Sequence, residues 1–182
     1  IRKYKETKNI VIAQKRILED LRLRDHSLVV GRDQARLYQQ LASLIHARES
    51  YSSIAAAYYF SESLIETLWK YHLSGDRPII ALRVVEGSDL SMVRELLLCH
   101  NYFTALGIEC DMLIINDHPY GYLKTFEDEV DFLVRTFNAD KPSSKGLVVH
   151  VRSGGLSVGA IEALLAVSRM TFSAAEGTFS EQ

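Results

Sequence analysis

The sequence predicts an α/β fold: a small Rossmann-like three-layer domain with a parallel sheet of three or four strands, preceded by a helical N-terminal segment. Three observations carry this. Residues 1–74 show apolar residues at helical spacing and no strand. From Pro78 onward, short β-branched runs alternate with amphipathic stretches, the grammar of βαβ units. The runs are apolar at nearly every position, as strands are when helices cover both faces of a parallel sheet. The expected division is a helical lead-in over 1–74 that packs on a βαβαβα domain over 75–182, the two making one structural unit.

Each element has its own local reason. Ile10, Ala13, Ile17 and Leu21 recur at helical spacing with charges between them. Gly31 breaks the pattern, and a second helix runs from about Asp33 to Ala47 with Leu37, Leu41, Leu44 and Ile45 on one face. A third covers Ile54 to Leu73, carrying Tyr58, Leu64, Ile65, Leu68 and Trp69, and SGD ends it. PIIALRVV is the first strand, and Ser88 or Asp89 is placed to cap the following helix. In that helix Val93, Leu96, Leu97, His100 and Phe103 share a face, and Gly107 sits where a left-handed cap is wanted. CDMLIIN is the second strand, and Tyr120 to Phe137 the next helix, started by Pro119 with Asp117 as its N-cap. LVVHVRS is the third strand, Ser157 caps a helix through Ile161, Leu164 and Leu165, and MTFSA makes a short fourth strand. The tail EGTFSEQ reads as loose.

Bulk properties exclude several functions. A length of 182 residues suits one domain, or one with an appendage, and buries a core without staples. The net charge of −2 gives no footprint for nucleic acid. Cys99 and Cys110 both lie in apolar runs and read as buried small hydrophobes, not as a disulfide framework. No apolar run approaches the ~20 residues that span a bilayer, so no direct membrane insertion is expected. The chain begins with Ile1 and a charged helical stretch, and reads as a piece of a longer protein.

Candidate sites follow from the fold. A parallel sheet gathers its strand ends on one rim, here Glu86-Gly87, Asn116-Asp117-His118 and Arg152-Ser153, and open α/β sheets bind ligands there. Asp117 and His118 could serve as acid and base or as metal ligands. Turn chemistry explains the same residues, since Asn and Asp satisfy turn amides and Pro presets φ. SGG after the third strand resembles a phosphate cradle only loosely. It is neither GxGxxG nor GxxxxGK[ST], and no ribose-binding acid follows the first strand, so nucleotide binding is not favoured. Trp69, Tyr71 and Tyr58 could form a sugar-stacking platform, although aromatics on a helical stripe are more often core. His100 reads as an interior residue, and His46, His72 and His150 are too scattered for a zinc spacing. No metal or cofactor is expected, and no GxSxG, CxxC or HExxH occurs.

Four stretches, ARLYQQLAS (35–43), LWKYHLSGDRPIIALRV (68–84), LLLCHNYFTALGIECDMLIINDHPYGYLKTFEDEV (96–130) and GTFSEQ (177–182), resemble in their order a segment of the cyclic β-1,2-glucan synthases. The most specific parts are Ser74-Gly75-Asp76 with Pro78, and the run from Asp111 to Tyr122. The family pattern has a polar Ala-Asp-Gln type stretch where Ser153, Gly154 and Gly155 stand here, and a Trp-containing motif where this chain reads RILEDLRLRD.

The resemblance implies a parent that is a polytopic inner-membrane glycosyltransferase building β-1,2-glucan from UDP-glucose. This segment would lie on its cytoplasmic side, in the C-terminal half that is similar to cellobiose phosphorylase, glycoside hydrolase family 94. The catalytic acid of that family lies in an (α/α)₆ barrel that no stretch here resembles, so no catalytic residue carries over. The expected role is an accessory, non-catalytic module that packs against neighbouring domains of the parent chain and makes weak glucan contact. Residues expected to touch a ligand are Trp69, Asp76, Asn116, Asp117, His118, Tyr122 and Arg152. The competing expectations are an independent small-molecule-binding or hydrolytic domain using the rim around Asp117 and His118, and a pure spacer between domains.

Overall fold

In the computed structural model the described residues are 30–46, 62–86, 89–117, 124–139 and 146–182. The helix expected over Ile10 to Leu21, and Tyr58, His118, Pro119 and Tyr122, lie outside them. Helix α1 spans Arg32–His46, α2 Glu62–Lys70, β1 Ile79–Val84, α3 Leu90–Leu106 and β2 Asp111–Asn116. Then come α4 at Lys124–Ala139, β3 at Val148–Arg152, α5 at Val158–Val167 and β4 at Ser168–Ser173. The four strands are ordered β3-β2-β1-β4 and every neighbouring pair is parallel. This is the α/β three-layer fold the alternation implied.

The side-chain period of two splits each strand between two cores. Ile80, Leu82, Val84, Met112 and Ile114 face one core with residues of α1, α3 and α4. Ile79, Ala81, Leu113, Ile115, Val149 and Val151 face the other, with Leu64 and Leu68 of α2 and Ala163 and Leu164 of α5. The described helices of the lead-in divide between the faces, α1 on one and α2 on the other. The reason is that both faces of β1 are apolar and both must be covered.

Local signals held at several places. Gly107 has φ 77° and its N–H bonds the Phe103 and Thr104 carbonyls. The Ser157 side chain accepts from the Ala160 amide at the start of α5. Helix α2 stops at Lys70 rather than Leu73 because His72 turns left-handed, with φ 60°, and the Leu73 amide bonds back to Leu68. The tail is not loose. Phe179 is buried edge-on against Phe172, with ring centroids 4.6 Å apart. Thr178 donates its N–H and its hydroxyl to Glu181, and the Gln182 carboxamide accepts from the Ser173 amide and donates to its carbonyl.

The loops that enter the strands are stapled by one buried carboxylate. Asp111 accepts from the Leu147 amide at 2.9 Å, its own amide donates to Pro78, and Arg77 approaches to 3.6 Å. Beside it Gly146 has φ 107°, and an added Cβ would fall onto the Cys110 carbonyl, 3.0 Å from His100 Nε2. His100 itself is buried, its Nε2 3.2 Å from the Cys110 oxygen, as an interior residue.

Candidate functional site

The strand-end rim begins where β1 runs out. The amides of Val85 and Glu86 both donate to one oxygen of Asp89, at 2.7 and 3.0 Å. Asp89 was expected as a candidate cap for α3. It occupies the N-cap position in helical φ/ψ but makes no side-chain cap bond there, because its carboxylate is committed upstream. The strand order reverses between β1 and β4, and ligands of open α/β sheets enter at such a switch. Here the chain's own groups fill it. Asp89 takes amides that a bound anion would use, and the 3₁₀ turn Ala174–Glu176 packs on β1.

At the end of β2, Asn116 and Asp117 are adjacent and so face opposite sides of the sheet. Asp117 accepts from Arg83 Nε and pairs with Nη2, both at 2.7 Å to Oδ2. Both bonds converge on one carboxylate oxygen, so the group is tied to a cation rather than held as a free base. The start of the next helix, where Asp117 was expected as the cap, lies outside the described residues, and the described part of α4 begins at Lys124. Asn116 is buried and registers opposite Arg152 of β3, whose guanidinium pairs with Glu127 of α4. About one turn further along that seam His150 Nδ1 meets Asp131 at 2.7 Å, which makes Nδ1–H the proton shared with the carboxylate. His150 Nε2 is buried and bonds to nothing among the described residues. The Asn138 carboxamide then pairs with both the amide and the carbonyl of Val148. This satisfies the outward-facing backbone groups of Val148 on the β3 edge.

Of the seven residues expected to touch a ligand, the five described ones do not gather in one place. Asn116 and Arg152 share a face of the rim, and Asp117 lies on the other. Asp76 is exposed in the loop that enters β1, at the opposite end of the sheet. Trp69 sits in the last turn of α2, which leads into that loop, and is 67% exposed rather than packed as a helical stripe implied. His118 and Tyr122 are outside the described residues. The partners Arg83, Glu127 and Asp131 were not anticipated, and Asp89 was expected only as a helix cap. Arg83 had a signal, since a charge inside an apolar strand needs a counter-charge.

Burial shifts a few groups. It raises Asp111 above the ordinary carboxylate range, against the Leu147 hydrogen bond and Arg77, which lower it. It raises Glu95 likewise, and pushes the Tyr38 hydroxyl and Cys99 thiol upward. None of these lies on the strand-end rim, and the two thiols are buried. Among the described residues no group of three or more His, Cys, Asp or Glu could hold a metal ion. Nor does any helix among them have the length and apolarity to cross a membrane.

Comparison with known proteins gives two findings. No family model matches the chain. Over 119 residues the chain is 29% identical to the cyclic β-(1,2)-glucan synthase NdvB of Rhizobium meliloti (strain 1021), a stretch that is 63% of this chain but only 4% of that protein. The chain is therefore similar to a small part of a very much longer glucan synthase.

Proposed function

We propose that this chain is an accessory module of a cyclic-β-1,2-glucan-synthase-like glycosyltransferase, packing against neighbouring domains, touching glucan weakly and performing no reaction itself. The observation that carries this is where its apolar surface lies. Trp69 and Phe132 are 67% exposed and Val158 73%, on helices of both layers. Apolar side chains exposed on both layers are available for neighbouring domains of a longer chain to cover. The paired state of the rim supports the non-catalytic part, since Asp117, Glu127 and Asp131 each bond a cation or a ring nitrogen of the same chain. The similarity to a small part of NdvB supports the parent.

Trp69 is the chain's only tryptophan, so its fluorescence reports directly on what covers it. Titration with β-1,2-linked gluco-oligosaccharides should change that emission weakly and saturably, and Trp69→Phe should abolish the response without unfolding the chain. No change at any concentration would remove the sugar contact from the proposal. Turnover of UDP-glucose or β-1,2-glucan by the purified chain would overturn the non-catalytic reading.

A further inference from the structure

We infer that the groove between α1 and the outer edge of β4 takes one extended segment of another polypeptide, uncharged and apolar at alternate positions. The groove has a volume of about 650 Å³. Its wall from α1 is Leu37, Leu41 and Leu44, and its wall from the sheet is Met170 and Phe172 with Phe179 of the tail. Leu44 is 55% exposed although it belongs to the apolar stripe of its helix. Among the described residues no charged side chain lines the groove, so a charged segment would lose hydration there with no counter-charge from them.

Each edge of the sheet carries a side-chain carboxamide on one residue, and the β3 edge is covered by a helix as well. At β3, α4 lies over the edge and Asn138 pairs both backbone groups of Val148. At β4 the same device appears at Ser173, where the Gln182 carboxamide accepts from the amide at 3.0 Å and donates to the carbonyl at 2.9 Å. A carboxamide bonded in that way reproduces the peptide group of a paired strand. It shows that this edge presents donor and acceptor in the geometry a further strand needs. Backbone groups of a strand point alternately to its two neighbours, so Thr171 presents its N–H and C=O on the same side as Ser173. Thr171 is exposed and lines the groove. Strand addition at such an edge supplies main-chain hydrogen bonds, while the groove takes alternate side chains. The site is separate from Trp69 and from the glucan contact, so either can fail alone.

The test uses the whole chain and a capped six-residue peptide alternating valine and threonine. Peptide should slow hydrogen exchange at the Thr171 amide about tenfold once its concentration exceeds Kd by roughly that factor, and leave Val148 at the other edge unchanged. Thr171→Pro should abolish the peptide-induced shifts at Leu44, because proline removes the donor yet is tolerated where an edge N–H faces outward. Leu44→Lys, on the exposed helix surface, should weaken the peptide from the other wall and serves if the proline variant fails to fold. Unslowed Thr171 exchange at millimolar peptide, or equal slowing in Leu44→Lys, overturns the inference. So does slowing that grows with protein concentration alone, which would make the occupant a second copy, or slowing produced equally by a β-1,2-gluco-oligosaccharide.

Discussion

Replacing Asp117 by alanine separates a structural rim from a reactive one. The carboxylate holds Arg83 through two contacts of 2.7 Å to a single oxygen, with 17% of the Asp117 side chain and 43% of the Arg83 side chain exposed. Two unit charges about 4 Å apart attract by about 1 kcal/mol in water and about 4 kcal/mol at an effective dielectric near 20. With Arg83 nearly half in solvent, most of that is screened, and exposed pairs typically couple by up to about 1 kcal/mol. The expected coupling energy from the cycle Asp117→Ala, Arg83→Ala and the double variant is therefore about 1 kcal/mol. It should fall with added salt. Urea unfolding gives it from midpoints at constant slope, and the single Asp117→Ala variant should melt about 2–4 °C lower. A coupling indistinguishable from zero would refute the reasoning. A rise in stability on removing Asp117 would do so more strongly, because residues kept for chemistry commonly cost stability.

Four further outcomes follow from the same contacts. Asp89→Ala strips two backbone amides of their acceptor and should cost about 1–3 kcal/mol by urea unfolding, with Asp89→Asn costing less. Gly146→Ala should fail to reach the native fold, seen as loss of the cooperative unfolding transition, since the methyl meets the Cys110 backbone at a positive φ. Phe179→Ala should cost about 3 kcal/mol and speed amide exchange at Ser173 as the Gln182 cap comes loose. Asp111 is held above its ordinary value of 3.8, so the folded state keeps its proton longer than the unfolded state. Its sign is therefore the reverse of a salt-bridged carboxylate: stability falls as pH rises from the ordinary value through the folded one. Urea midpoints of Asp111→Asn across that window should lack this part of the decline, and an unchanged slope would show that another group causes it.

The single-residue step between Asn116 and Asp117 shows how much of the site was legible. Period two alone puts these neighbours on opposite faces of the sheet, so they were never able to act as one constellation. Which groups meet them was not legible. Arg83 lies 34 residues from Asp117, and Glu127 lies on a helix rather than at a strand end. The tail misled for a similar reason. GTFSEQ is polar and small by composition, yet Phe179 finds Phe172 and Gln182 finds Ser173 only once β4 stands beside β1. Trp69 erred the other way. It fits the stripe of a buried helix, but the face it would share is already filled by Leu64 and Leu68.

Elements that depend on neighbours in the chain were determined by the sequence itself. These are the strands from their β-branched runs, the ends of helices at Gly107 and Ser157, and the parallel three-layer class from their alternation. They rest on local sterics and on one-dimensional periodicity. Tertiary structure alone decided the strand order, the division of α1 and α2 between the two faces, and the pairing of each rim charge. Those outcomes depend on register across segments tens of residues apart, where the free energy of a contact exists only after both partners have been placed.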